Sequence, residues 1–238
     1  MLDGDDAAIR LLHKALTGGN GGNMLPAWAF EALASTAEVP APFPEGRVLF
    51  DVGEIADDLL LVRAGMLAGD SGGKTRTRQV TGFFLPGEFA DIESLCTLRH
   101  AIRVSALTTC SVVRLPMSTL LERERESREL QDCLHRIIGR GLHNLDQLLY
   151  SLSRQSSTAR IAAFYLRLSE RFHAFGNAPD RFHFPALHGD IASYLHMTGS
   201  TFSRGIMRLQ RKRLLALDGA DVRLLDTDGL RKLAMESL

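Results

Sequence analysis

The residues best placed to do recognition chemistry lie at 188–213, HGDIASYLHMTGSTFSRGIMRLQRKR, where hydroxyl and guanidinium groups alternate with apolar positions at helical spacing. Ile191, Ala192 and Leu195 share one face of a short helix over about 190–195, and Ala192 is small enough to let a second helix cross closely. Thr198 supplies an N-cap hydroxyl, after which Phe202, Ile206 and Leu209 recur at four and three on the inner face of a second helix. Ser200, Ser203, Arg204 and Arg208 occupy its outer face, with Thr201 beside them. Arg204 can pair bidentately with guanine O6 and N7, which makes it the first candidate for reading a base. Arg211, Lys212 and Arg213 add charge in a stretch from His196 to Leu217 that holds no acidic residue. That suits phosphate contact through counterion release, which positions more than it specifies.

A solvated amphipathic hairpin would show the same basic face. The residues that follow favour the DNA reading: Leu214–Leu217 and Val222–Leu225 are apolar runs joined by Asp218, Gly219, Ala220 and Asp221, the signal of a hairpin wing. Ahead of the pair, TARIAAFYLRLSERF from about 157 opens the same domain as a helix. Three helices and a hairpin make a winged helix-turn-helix.

Other elements must carry and control this reader. From Arg47 to Leu115 short strands alternate with turns (RVLF, DDLLLVRAG, RQVTGFFL, IRVSAL, CSVVRL), punctuated by Gly53, Gly65, SGG at 71–73 and PGE at 86–88. This spacing predicts a small antiparallel barrel or jelly roll. Before it, residues 1–17 and Ala27–Ala37 read as helices separated by GGNGGN at 18–23, a flexible joint. After it, one long helix is predicted from Ser118 to about Leu152, with Leu130, Leu134, Ile137, Ile138, Leu142, Leu145, Leu148, Leu149 and Leu152 at threes and fours. A stripe that broad can serve both the barrel and a partner helix. Gly139 and Gly141 weaken the helix by about 1 kcal/mol each relative to Ala, consistent with close helix approach. The expected organisation is an N-terminal segment at 1–26, a β-barrel sensory domain at 27–117, a dimerisation helix at 118–153 and a DNA-binding domain at 154–238. The expected fold class is α+β.

The 238 residues carry no net charge, but residues 1–153 sum to −5 and residues 154–238 to +5, so the basic half holds the helix pair. No run of about 18 apolar residues occurs and the N-terminus is acidic, so neither a membrane span nor a signal peptide is expected and the location expected is cytoplasmic. Cys96, Cys110 and Cys133 stand singly, without zinc-like spacing, and are expected as free, buried thiols; no metal site is predicted. The chain has no nucleophile elbow, HExxH or phosphate loop, and an enzyme is not expected.

From Arg47 to Leu233 the chain resembles the CRP/FNR family of bacterial transcription regulators. The resemblance is carried by TGFFLPGEF (81–89), ALTTCSVVRLP (106–116), ARIAAFYLRLSERF (159–172), FPALHGDIASYL (184–195) and TFSRGIMRLQ (201–210). It implies an N-terminal jelly roll like a cyclic-nucleotide-binding domain, a homodimer joined along the long helix, a near-palindromic double-stranded DNA site, and RNA polymerase as a partner. The FNR and FixK branch is the nearer one. Its recognition pattern E-x-x-S-R places Ser and Arg on Ser203 and Arg204, whereas the glutamate position is Ser200. Glutamate accepts from cytosine N4; serine can donate or accept, so a tolerant base is expected there beside a strict guanine at Arg204. His196 replaces the usual glycine of the turn, and histidine tolerates positive φ.

The resemblance also frames the effector. The family's cyclic AMP receptors use a Gly-Glu pair for the ribose and an Arg-Ser pair for the phosphate. Gly87 and Glu88 match the first, but His100 and Ala101 stand at the second with Arg99 just ahead, so cyclic AMP dependence is not expected and Glu88 reads as a turn residue. An FNR-type iron-sulfur cluster needs four thiolates, three of them near the N-terminus; no cysteine precedes Cys96, so none is expected. Haem remains open, with His13, His100, His135 and His143 as candidate ligands. The favoured expectation is a regulator without bound cofactor, governed by abundance or by oxidation of Cys96, the most accessible thiol, with Arg99 able to lower its pKa. The alternatives are a haem-dependent gas sensor of the same family and, from a different class, a ligand-binding barrel module of a signalling assembly.

Overall fold

A computed structural model describes residues 5–18, 25–72, 78–154, 156–176 and 178–235. Most of the GGNGGN joint lies outside the described residues, as does Gly73. The chain divides into two compact units, residues 1–143 and 144–238.

In the first unit, α1 (Asp6–Thr17) is capped by Asp5, whose carboxylate accepts the Ala8 N–H at 3.0 Å, and α2 is Ala27–Thr36. The strands are β1 (Val48–Phe50), β2 (Asp58–Ala64), β3 (Leu67–Asp70), β4 (Val80–Phe84), β5 (Phe89–Ala90), β6 (Arg103–Ala106) and β7 (Ser111–Pro116). They form two antiparallel sheets, ordered β1-β6-β3-β4 and β5-β2-β7. Strand β2 explains how the layers stack. Leu60 and Val62 enter one core with Phe50, Leu67, Val104 and Val112, while Leu59 and Leu61 enter another with Leu12, Leu16, Leu33, Leu120 and Leu130. Alternate side chains on a pleat face opposite ways, so a strand buried on both faces reads as a continuous apolar run. The turn into β3 depends on Gly65 (φ +74), where any Cβ would press on the Thr109 carbonyl and on Cys110.

The long helix predicted from Ser118 is two helices. α3 (Ser94–Thr97) is a single turn, α4 is Met117–Glu126 and α5 is Arg128–Arg154. Ser127 adopts an extended conformation between the last two, and its hydroxyl accepts the Leu130 N–H (3.2 Å) to cap α5. The polar run LERERE gives α4 no apolar stripe to carry into α5, so the local cap decides the break. Leu130, Leu134 and Ile137 are buried, whereas Leu142, Leu145, Leu149 and Tyr150 farther along α5 are exposed.

The second unit contains α6 (Ser157–Ala174), β8 (Arg181–His183), α7 (His188–Tyr194), α8 (Gly199–Arg211), β9 (Leu215–Asp218), β10 (Asp221–Leu224) and α9 (Thr227–Met235). The expected hairpin β9–β10 gains a third antiparallel strand, β8, in the order β8-β10-β9. At three residues, with only Phe182 turned inward, β8 is too short to show alternation. The expected three helices gain a fourth, α9, which begins where the Asp226 carboxylate accepts the Gly229 N–H (2.8 Å) and which buries Leu230 and Leu233. Among the described residues no helix is long and apolar enough to cross a membrane.

Candidate DNA interface and effector position

The helix pair forms as its spacing predicts. Ile191, Ala192 and Leu195 are buried on the α7 side; Phe202, Ile206 and Leu209 are buried on α8. His196 takes φ +50 between them, which reverses the chain without glycine. Thr198 is the N-cap: its hydroxyl accepts the Thr201 N–H (3.2 Å), donates to the Thr201 hydroxyl (2.9 Å) and shares a hydrogen bond with the Ser200 hydroxyl (3.0 Å). The first turn of α8 is thereby fixed before any ligand arrives.

Two contacts that sequence reasoning missed hold the pair to α6. Arg160 donates to the Leu195 carbonyl (3.0 Å), placing a cation at the C-terminal end of α7, where unpaired carbonyls need donors. Burial pulls its pKa below the usual guanidinium value. Gly205, in the middle of α8, packs directly on Ile161 of α6, and a Cβ there would overlap Ile161 Cδ1. No spacing rule marks either residue, because each acts across a long sequence separation.

The opposite side of α8 is open. Ser200, Ser203, Arg204, Met207, Arg208, Arg211 and Lys212 are exposed and Thr201 is half-buried. Arg204 Nε donates to the Ser200 carbonyl (3.3 Å), laying the guanidinium along the first turn. Arg204, Met207, Arg208 and Arg211 line a shallow depression. Beyond the end of α8 the chain turns at Arg213 (φ +55), whose N–H donates to the Gln210 carbonyl (2.9 Å), and the wing follows at once.

Comparison with known proteins accounts for both units. A family model described as the cyclic nucleotide-binding domain matches residues 40–124, and one described as the Crp-like helix-turn-helix domain matches residues 159–233. The transcriptional activator protein FnrA of Stutzerimonas stutzeri is 33% identical over 86% of this chain and 84% of its own length. The chain belongs to the CRP/FNR family of transcription regulators. The activator Anr of Pseudomonas protegens is similar at 32% identity, with the same coverage of each chain. Among solved structures, FixK2 from Bradyrhizobium japonicum shares the fold, with a TM-score of 0.77 and 21% identity over 85% of this chain and all of that one. A putative cAMP-binding regulatory protein from Silicibacter pomeroyi gives 0.67 at 22% identity, covering 97% of this chain and all of that one. The helix-turn-helix of this CRP/FNR regulator marks it as a DNA-binding protein.

The barrel residues suggested for an effector in this CRP/FNR chain are engaged with the protein itself. Gly87 (φ +88) and Glu88 form a tight turn with Leu85: the Glu88 N–H donates to the Leu85 carbonyl (3.0 Å), and the Glu88 carboxylate accepts the Leu85 N–H (2.9 Å). Arg99 is exposed and donates to the Gly53 carbonyl (2.8 Å). His100 is buried, stacked on Phe50 with ring centroids 3.6 Å apart, and its Nδ1 lies 2.8 Å from the Asp91 carboxylate. Burial pushes Asp91 above the ordinary carboxylate range, against the pull of the His100 contact. Nothing local in the sequence links Asp91 to a histidine nine residues away.

The cysteines divide. Cys96 is exposed on α3, while Cys110 and Cys133 are buried. Burial, expected of free thiols generally, holds for Cys110 and Cys133 and not for Cys96, which is the accessible thiol as expected and sits on a one-turn helix. Burial raises the pKa of Cys110, and of Cys133 despite Arg136, whose guanidinium donates to its Sγ at 3.1 Å. Among the described residues no three His, Cys, Asp or Glu side chains cluster as metal ligands.

Proposed function

We propose that this CRP/FNR regulator acts as a homodimer on a near-palindromic DNA site, each subunit placing α8 in one major groove. The observation that carries the reading is the outer face of α8, where Ser200, Ser203, Arg204, Arg208 and Arg211 stand exposed without an acidic residue on the helix. In this reading Arg204 pairs with a guanine, Ser203 and Thr201 contact the groove beside it, and Arg208, Arg211 and Lys212 engage phosphates. Ser200 is tied to the Thr198 hydroxyl and reaches the bases less far than a glutamate would, which supports a tolerant position there. Leu142, Leu145, Leu149 and Tyr150, exposed on α5, support a seam with a second copy of the helix. Promoter output then depends on contact with RNA polymerase, and the regulator works in the cytoplasm.

The reading includes no iron-sulfur cluster and no cyclic AMP. A chain with three cysteines, two of them buried thiols with raised pKa, does not fit a four-thiolate donor set. The position where a phosphate would need an arginine and a hydroxyl offers His100 bound to a carboxylate, and Ala101. His100 also fits poorly as a haem ligand, with Phe50 over its ring and Asp91 on its Nδ1. Exposed Cys96 supports oxidation as a control. Selection from random duplexes followed by affinity at several salt concentrations tests the reading: Arg211→Ala should weaken all sequences alike and flatten the slope of log K against log salt by about 1 per lost phosphate contact. Absence of sequence-selective binding would refute it.

A further inference from the structure

We infer that Met207 reads a thymine through its C5-methyl group and is a specificity-determining residue of the DNA interface; this rests on α8 being the recognition helix. Seven residues make two helical turns, so Ser200 and Met207 stand only about 20° apart around the helix. Both lie opposite the buried stripe of Phe202, Gly205, Ile206 and Leu209. Met207 thus points where α8 would face the bases, and it is 47% exposed. Its neighbours in the depression are Arg204, Arg208 and Arg211, all cations.

An apolar side chain at the centre of a basic face adds nothing to phosphate attraction, and its own unit leaves about half of it open to solvent. In the major groove the only apolar feature on a base edge is the thymine methyl, and it marks thymine against the other three bases. Methionine suits that contact, since its unbranched thioether adapts to the methyl's position and accepts no hydrogen bond of consequence. The Ser200 hydroxyl shares a hydrogen bond with that of Thr198 (3.0 Å). Arg204 lies three residues before Met207, one turn nearer the helix start, so the thymine should neighbour the guanine it reads.

The test uses the full-length protein on its selected duplex, with deoxyuridine replacing each thymine in turn in both half-sites. Deoxyuridine differs from thymidine only by the methyl. At one symmetric position the replacement should weaken wild-type binding about fourfold per half-site, the equivalent of one buried methyl. Met207→Ala should lose affinity on the thymine duplex and bind thymine and uracil duplexes alike. If the protein binds its site selectively yet tolerates uracil everywhere, or if Met207→Ala keeps the full thymine preference, the inference is overturned and the DNA reading stands. If no duplex is bound selectively, both fall. Circular dichroism of Met207→Ala should match wild type, because the side chain is not in the core.

Discussion

Gly205 offers the sharpest test of how α8 is held. In Gly205→Ala the new Cβ would overlap Ile161 Cδ1, well inside the roughly 3.5–4.0 Å at which carbons rest. The colliding atom ends a side chain that could swing aside on a surface, but Ile161 is fully buried, so strain must be taken up by α6 and α8. Overpacking of this kind costs about 1–3 kcal/mol, while exchanging glycine for alanine within a helix returns about 0.8–1.0 kcal/mol. The net expectation is a loss of roughly 0–2 kcal/mol. Ile161→Val removes the colliding methyl and alone should cost about 0.5–1.5 kcal/mol through the void it leaves.

Combined, the two changes should compensate, since the alanine Cβ enters the space vacated by Cδ1. The double variant should be more stable than the sum of the singles by about 1–2 kcal/mol. Urea unfolding followed by circular dichroism measures the cycle. The only tryptophan, Trp28, lies in α2 of the first unit, so its fluorescence transition should stay where it is in all four proteins and serves as an internal control. DNA affinity should fall in Gly205→Ala and recover in the double variant. Single changes that add within about 0.5 kcal/mol would refute the packing argument.

Thr198→Ala removes the cap of α8 and should cost about 1 kcal/mol in the second unit, read in the same urea experiment, with Thr198→Ser retaining most of it. For Asp91, burial raises the folded pKa, so the folded state holds the proton more tightly than the unfolded one. Its contribution is fully present below the ordinary value of 3.8 and is lost as pH rises through the raised folded value. Asp91→Asn cannot ionise and should gain stability relative to wild type across that window; a constant difference from pH 3 upward (about where carboxylates begin to titrate) would contradict it. Maleimide labelling of native protein should modify Cys96 rapidly and Cys110 and Cys133 only after unfolding, as mass spectrometry of tryptic peptides would show.

What could be read in the sequence were features whose cause is local. The Thr198 cap, the positive φ at His196 and the buried stripe of α8 each depend on residues within a turn or two, and all three stand in the structure. The strands of the barrel were readable where a run was long or bounded by turns, as in β2 and β7. Strand β3 was not, because LAGD is buried at every position and offers no alternation, and β8 shows itself only through pairing with β10. The break at Ser127 had a local signal, a serine followed by Glu129, which the leucine periodicity that starts at Leu130 overrode.

The contacts that join separate segments within each unit were hidden for a different reason. Arg160 on Leu195, Ile161 against Gly205 and Asp91 on His100 are each defined by a partner on another segment, and residue type alone assigns them to a surface, a core or a loop. Met207 is the converse case. Its helical position was available from the spacing alone, yet a methionine among apolar residues reads as core until burial separates it from Ile206 and Leu209. Side-chain chemistry named the arginines first because charge is recognisable without a structure; an apolar reader becomes visible only when the surrounding surface is known to be basic and open.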